Sequence, residues 1–456
     1  MSILIKNGEV VLADRTEILD IVVERETIRQ VGKDLRSESS KVIDASGKYV
    51  IPGGIDVHTH LDAPVGGTTS SDDFETGTKA AAFGGTTCII DFATQSRGQS
   101  LESAFDLWRE KGKRAVVDYG LHMIIVDMPE ERLDEIDRIV EKGVTSFKVF
   151  TAYPGSLMVD DATILRIMQR ARKSGALVAV HAENGNAIQL LVQQALEEGK
   201  TDPIYHALTR PALAEAEATN RVIALARIAD VPVYIVHVSC GDSLAEISRA
   251  RRKGVDVFGE TCPQYLLLTK DDLGRPGFEG AKFVLTPPLR EKKDQESLWQ
   301  ALNNDDLQVV STDHCPFNFG TQKRAGEKDF TEIPNGGPGI ENRLQLLYHF
   351  GVRQGRFSVN RWVDLISTNP AKLFGLYPKK GTLQAGSDAD IVVWNPKREH
   401  TISASTHHMR VDYSMYEGLT ITGNAETVIA RGDIIVEGNK WMGKAGRGEY
   451  QQRSCF

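Results

Sequence analysis

Polar and apolar positions alternate at the two ends of this chain and give way in the middle to short, unbroken apolar runs. Near the amino terminus, Ile3-Leu-Ile-Lys-Asn-Gly-Glu-Val-Val, Ile18-Leu-Asp-Ile-Val-Val and Val42-Ile-Asp-Ala-Ser-Gly-Lys-Tyr-Val read as short strands, with Asn7-Gly8 and Ser46-Gly47 supplying turns. The same style returns at Gly381-Thr-Leu-Gln-Ala-Gly-Ser-Asp-Ala-Asp-Ile-Val-Val-Trp and Thr427-Val-Ile-Ala-Arg-Gly-Asp-Ile-Ile-Val. One small β-sandwich-like domain assembled from residues 1–50 and 376–440 is the expectation. Between these ends, apolar runs at 49–59, 86–92, 118–126, 145–150, 177–182, 232–238, 255–260 and 308–313 alternate with helical stretches such as 160–174, 212–229 and 242–253. Eight strands with intervening helices predict an α/β fold, a parallel (β/α)8 TIM barrel over 51–375 with room for long loops. The Gly-rich, basic stretch 441–456 reads as an extended tail, either disordered or laid on a neighbouring subunit.

Composition narrows the class. Of 456 residues, 41% are hydrophobic and 25% charged, which is ordinary globular usage, and the formal net charge of −8 argues against nucleic acid or an anionic membrane as partner. No apolar run is long enough for a membrane span, and the amino terminus lacks the pattern of a signal peptide. Five scattered cysteines with no CxxC fit a reduced, cytoplasmic enzyme rather than a disulfide framework.

Candidate chemistry sits at the ends of the apolar runs. His58 and His60 are spaced i, i+2 and share one face of an extended strand, as two imidazoles suited to one transition metal. Lys148, His181, His237 and Asp313 each lie at or near the end of a later strand, and in a barrel such ends face one mouth. Singly, a histidine is more often hydrogen-bonded in a core than bound to metal, and Asp313 could cap a loop. A lysine within Phe-Lys-Val-Phe, however, is costly to bury as an ammonium ion, so its charge must be cancelled or removed. Together the six residues predict a metal site. Cys240 and Cys315 have no base at a recognisable spacing and read as spectators, His314 as a supporting or packing residue. Glu183-Asn184 either orients His181 or opens the next loop.

On its motifs the chain resembles the dihydropyrimidinase/D-hydantoinase family of cyclic amidohydrolases over nearly its whole length. The motifs are Pro52-Gly-Gly-Ile-Asp-Val-His-Thr-His60, Gly84-Gly-Thr-Thr, Ser146-Phe-Lys148, His181-Ala-Glu-Asn, Tyr205-His-Ala-Leu-Thr-Arg-Pro211, Glu260-Thr-Cys-Pro-Gln-Tyr265, Thr312-Asp-His-Cys-Pro316 and Asn335-Gly-Gly-Pro-Gly-Ile-Glu-Asn-Arg343. The resemblance implies two divalent metal ions, usually Zn2+ with Mn2+ or Co2+ as alternatives, and a lysine carboxylated by CO2. His58, His60 and Asp313 would then hold the buried metal, His181 and His237 the more exposed one, and carboxylated Lys148 (N6-carboxylysine) both, with a hydroxide between them. It further implies Asp313 as the proton carrier from the nucleophile to the leaving nitrogen and Tyr153 as the oxyanion donor. Main-chain atoms around Thr286 and Asn335 would bind the substrate amide. Threonine at 286 departs from the family's usual serine, and its extra methyl could tighten the pocket. Leu61, Val65, Phe150 and Leu157 are the candidates for contact with the exocyclic substituent.

The implied activity is hydrolysis of the cyclic amide bond of hydantoins or dihydropyrimidines to N-carbamoyl amino acids, by a homotetramer acting on a small molecule. Two alternatives stand beside it. One is an allantoinase-type enzyme; the other is a non-catalytic scaffold of the collapsin-response-mediator type, which has lost the metal ligands that are all present here.

Overall fold

The computed structural model describes residues 2–38 and 40–456. Eight parallel strands run in sequence order: Gly54–Thr59, Thr86–Thr94, Asp118–Ile124, Ser146–Phe150, Leu177–His181, Val233–Ile235, Val257–Thr261 and Val309–Val310. Each pairs with its neighbour in parallel register, and helices occupy the connections. The first and eighth strands are brought together by a parallel bridge from Thr59 to His314 and by His60 N–H donating to the His314 carbonyl at 2.9 Å. Arg343, fully buried, fastens the same seam, because its Nη1 donates to Ile55 O and Val310 O, both at 2.9 Å. The expected barrel is therefore present, with its seam closed by a buried guanidinium.

The period-two pattern explains the layering. Cys88, Ile90, Leu177, Ala179, Tyr234 and Val309 come from strands all round the barrel and pack in one cluster with Phe374 and Leu376. A cluster drawn from so many strands lies inside the barrel. Their sequence neighbours Ile89, Val178, Val180, Val233 and Ile235 point outward into the apolar layer shared with the helices. The helix Asp161–Ser174 buries Ile164, Ile167, Met168 and Ala171, spaced i, i+3, i+4, i+7. Asp160 starts it by accepting from Thr163 N–H, and Gly175, at φ 69°, stops it.

Strands from both ends of the chain form a separate nine-stranded sheet. Ser2–Val11 lies at its centre beside Thr16–Glu24, and Ile391–Thr401 pairs with Thr420–Ala430. The two halves are joined by Tyr49–Pro52, parallel to the first strand at Val10 and antiparallel to Ile391–Thr401. The single strand expected over 49–59 is thus two strands in different sheets, and only Gly53 separates them. A Cβ at Gly53 would stand 2.0 Å from Thr87 Oγ1, so a glycine is required where the chain crosses from one sheet to the other. Alternation again divides the faces: Ile391 and Val393 enter the terminal unit's own core, Val392 and Trp394 the layer against the barrel.

The tail 441–456, expected to be either disordered or laid on a neighbouring subunit, is ordered against its own chain. It runs under the amino-terminal end of its own barrel. Gln451 N–H donates to Tyr119 O at 2.8 Å, Arg453 N–H to Gly143 O at 3.1 Å and Phe456 N–H to Gly175 O at 2.9 Å. Arg453 is buried there, with Nη2 2.8 Å from Ser146 Oγ. The glycines that suggested disorder serve close approach instead, since a Cβ at Gly448 would meet Val117 O at 2.0 Å.

Candidate active site

The carboxyl ends of the strands bring the six candidate residues into one constellation. His58 is fully buried at the end of the first strand, and its Nε2 lies 3.1 Å from Asp313 Oδ1 and 2.9 Å from Lys148 Nζ. His60 Nε2 lies 3.2 Å from the same Asp313 oxygen. His181 Nδ1 and His237 Nε2 are 3.0 Å apart. Residues from the first, fourth, fifth, sixth and eighth strand ends thereby touch one another, although 255 positions separate the first from the last.

Backbone strain aims three of the site residues. Tyr153, His237 and Asp313 have φ of 65°, 39° and 51°, a region that non-glycine residues seldom enter. At the ends of the sixth and eighth strands this departure from extended geometry turns a side chain toward the barrel axis. Such conformations persist where the surroundings over-determine them, and they concentrate at functional sites.

Supporting groups fix the imidazoles. Glu260, at the end of the seventh strand and fully buried, bonds to His58 Nδ1, accepts from Tyr234 OH at 3.0 Å and takes His237 N–H at 3.2 Å. With Nδ1 occupied, His58 presents Nε2 to the site. Glu183 Oε2 lies 2.9 Å from His181 Nε2, leaving Nδ1 facing the site, while Asn184 Oδ1 accepts from Ala187 N–H and starts the helix Gly185–Glu197. Both readings of Glu183-Asn184 therefore hold, one residue for each. Glu260 escaped the sequence reasoning as a site residue; its only signal was its place just before Cys262-Pro263 at a strand end. His314 bonds Asp72 at 3.0 Å and supports the scaffold rather than the cavity.

The electrostatics match a site built for cations. Burial pushes Lys148 down to about 8, with Asp313 and Glu260 only partly opposing it. Burial likewise holds His60 at about 4 and His237 well below its usual range, so both imidazoles are neutral at pH 7, the form that ligates metal. Burial raises Asp313, but the His58, His60 and His237 rings outweigh it and keep the carboxyl ionised. His237 Nδ1 is buried without a hydrogen-bond partner. His58, His60 and Asp313 offer three ligand atoms that all lie within 4.8 Å of one another. The neutral imidazoles of His60 and His237, the ionised Asp313 carboxylate and an orphaned ring nitrogen form a donor set that fits divalent metal.

A cavity of about 460 Å³ opens onto these groups, lined by His60, Lys148, His181, His237 and Asp313. Tyr153, Thr286 and Asn335 form another part of its wall. The Tyr153 ring centroid is 5.6 Å from that of His181. Burial pushes the Tyr153 phenol up to about 12, with the Thr286 and Asn335 side chains beside it working in the opposite direction. Val65, Phe150 and Leu157 line the cavity as expected, and Ile124 and Ile333 join them. Leu61 does not: it is fully buried against Gly77, where a Cβ would meet Leu61 Cδ2 at 2.3 Å. The chain turns after His60, so Leu61 packs behind the site instead of lining it.

Comparison with known proteins agrees with this geometry. The model of the amidohydrolase family matches residues 49–435. The chain is 56% identical to a D-hydantoinase of Streptomyces coelicolor over 417 residues, covering 91% of this chain and 89% of the relative. It is 50% identical to a D-hydantoinase of Geobacillus stearothermophilus, covering 100% and 97% respectively. The crystal structure of dihydropyrimidinase from Brevibacillus agri superposes with a TM-score of 0.99 at 53% identity, covering 100% of this chain and 99% of that one. With a barrel, a cation-ready rim and relatives that match it from end to end, the chain belongs to the amidohydrolase family and, within it, to the cyclic amidohydrolases of the hydantoinase/dihydropyrimidinase group.

Proposed function

We propose that this protein hydrolyses the ring amide of 5-substituted hydantoins and dihydropyrimidines, giving N-carbamoyl amino acids, with the D-enantiomers preferred as the names of its relatives suggest. The observation that carries the reading is the convergence of four histidines, a buried lysine and an ionised aspartate at one cavity whose wall also includes Tyr153, Thr286 and Asn335.

His58, His60 and Asp313 would hold one divalent metal, His181 and His237 a second, and Lys148 both once carboxylated. Zn2+ is the proposed metal, with Mn2+ and Co2+ compatible with the same donors. Metals bound there would supply an activated water at neutral pH and polarise the ring carbonyl. Carboxylation consumes the neutral amine: the Lys148 Nζ lone pair forms an N–C bond to CO2 and a proton leaves. A pKa near 8 favours this step by keeping a share of the amine neutral at pH 7. It also removes the buried positive charge and leaves an anion with two oxygens.

The remaining steps belong to the chain's own side chains. Asp313, ionised and at the cavity surface, accepts the proton released as water adds to the carbonyl carbon, then delivers it to the ring nitrogen as the C–N bond breaks. Tyr153, protonated at neutral pH, donates its hydroxyl to the oxygen that gains charge. Main-chain groups of Thr286 and Asn335 hold the amide of the substrate. Val65, Phe150, Leu157 and Ile333 enclose the exocyclic substituent in an apolar wall.

The homotetramer and cytoplasmic location implied by the resemblance are part of the same proposal; among the described residues no helix is long and apolar enough to cross a membrane. The test is ring opening by the zinc-loaded protein on dihydrouracil, D- and L-5-phenylhydantoin and allantoin. Turnover of dihydrouracil or a hydantoin is expected, and their ranking gives the substrate class. Turnover of none of the four by a protein with two metals bound would remove the substrate class, while preference for allantoin would favour the allantoinase alternative.

A further inference from the structure

Lys323 is a second fully buried lysine near the site, and the proposed chemistry gives it no part. It opens the short 3-10 turn Lys323–Gly326 in the segment after the eighth strand. No carboxylate pairs with it among the described residues. Its Nζ instead donates to three main-chain carbonyls: Val284 O at 2.9 Å, Pro334 O at 3.0 Å and Gly336 O at 2.8 Å. Three acceptors use all three hydrogens of an ammonium group. Burial without a counter-ion pushes Lys323 down to about 7, so the side chain is retained against the general preference for apolar residues at that depth, and what holds it is its three carbonyl acceptors.

The three carbonyls belong to two different loops. Val284 lies two residues before Thr286, and Pro334 and Gly336 stand on either side of Asn335. Two other buried donors complete the pattern. His206 Nε2 is 2.9 Å from Leu285 O, and Tyr265 OH donates to Pro287 O at 2.8 Å. Every main-chain carbonyl adjoining Thr286 and Asn335 is thus taken by a buried donor. Among the described residues the peptide N–H and C=O of Thr286 and Asn335 themselves enter no hydrogen bond, and both residues line the cavity. Gly336 N–H donating to Val284 O at 3.1 Å ties the two loops directly to each other.

We propose that Lys323 is a positioning residue that locks these two loops in register, so that the free peptide groups of Thr286 and Asn335 face the substrate amide at fixed separation. The inference rests on the reading of those two residues as substrate contacts. It acts on binding geometry and leaves the metal ligands alone, so its effect falls on KM.

The test compares Lys323→Met, which keeps the length and removes the donors, with Lys323→Gln, which keeps two of them. Lys380→Met serves as control, because Lys380 is equally buried but lies at the opposite end of the barrel. Expected for K323M are two bound metals, kcat within a few-fold of wild type, and a KM raised roughly 10-fold or more, with K323Q between. Hydrogen exchange is expected to accelerate at the amides of 284–286 and 335–336. K380M should lower Tm with KM unchanged. A wild-type KM in K323M, or the same rise in K380M at matched loss of Tm, overturns the inference. If K323M does not fold, K323Q carries the same comparison. Absence of cyclic-amide turnover by the wild type would instead refute the substrate reading, and unchanged exchange in both loops would overturn the role of Lys323 whatever the substrate.

Discussion

Lys148 and Lys380 are the same residue at the same burial, about 1% exposed, at opposite ends of one barrel. Lys380 meets three carboxylates, with Nζ 2.8 Å from Asp118, 2.9 Å from Asp388 and 2.6 Å from Asp390. Burial lowers its pKa, but these neighbours prevail and hold it well above the usual value. Those three aspartates could by spacing alone hold a metal, but the ammonium already fills the space between them. Lys148 has no carboxylate in contact and faces an imidazole nitrogen, and burial pushes it down to about 8. A buried lysine whose charge is matched belongs to the architecture. So does Lys323, whose Nζ hydrogens are taken up by three carbonyls, whereas Lys148 has neither carboxylate nor carbonyl acceptors, so buried lysines are told apart by partners rather than by depth.

The comparison breaks most decisively at the mouth. Lys148→Ala should lose metal and lower kcat/KM by roughly three orders of magnitude or more, with partial rescue by small carboxylic acids. Metal analysis alongside turnover checks this, and a fully active variant with two metals would end the assignment. At the floor, Lys380→Met leaves buried Asp390 without its cation, while Asp118 keeps Arg431 and Asp388 keeps Lys379, and should cost about 3–5 kcal/mol of stability, seen in denaturant unfolding, while the folded fraction keeps its activity. Tyr153→Phe should keep both metals and lower kcat by about 10²-fold, close to what loss of one oxyanion donor costs. Steady-state kinetics decides it, and a fall in KM alone would reassign the residue.

Alkaline titration of the metal-free protein gives the sharpest contrast. Lys380 has a folded pKa above 10.5, so its contribution is complete below that pH and is lost only as the pH rises through the folded value. For Lys148 the folded pKa is near 8 and the ordinary value 10.5, so between these the unfolded chain holds a proton that the folded chain has shed. Stability from this group therefore rises with pH across that window. The stability difference between wild type and Lys148→Met should widen in favour of wild type from pH 8 to 10.5 and stay flat below it.

Much of this was legible in the residues. Eight apolar runs gave the barrel, and the i, i+2 spacing of His58 and His60 marked the first strand of the candidate site, because period two survives in any strand whatever surrounds it. The helix at 212–229 was likewise readable from its apolar positions, and Ala212–Ala229 is found there. What was not legible depends on contacts distant in sequence. Glu260 looks the same as a capping acid until His58, 202 positions away, is placed against it. The positive φ of His237 and Asp313 has only a weak compositional signal, since Asp and His enter that region more often than most residues but adopt it at few of their positions. Leu61 was misplaced because it was taken for part of a loop at the barrel mouth, whereas the turn after His60 packs it against Gly77. Tail glycines read as disorder because close backbone approach and flexibility call for the same residue.

The joint at Gly53 also sets an order of events in folding. Barrel strands find partners close by in sequence, whereas Tyr49–Pro52 must find Ile391–Thr401, which returns only after the entire barrel. Long-range pairing of this kind is slow, because the chain must first give up the freedom of the intervening loop. Until it forms, Tyr49–Pro52 presents an unpaired edge, open to another chain in the same state. Refolding from denaturant should therefore regain barrel helicity ahead of activity, with aggregation greatest in the interval and dependent on concentration. The sheet without catalytic residues would then govern how soon the strand carrying His58 and His60 is held in place.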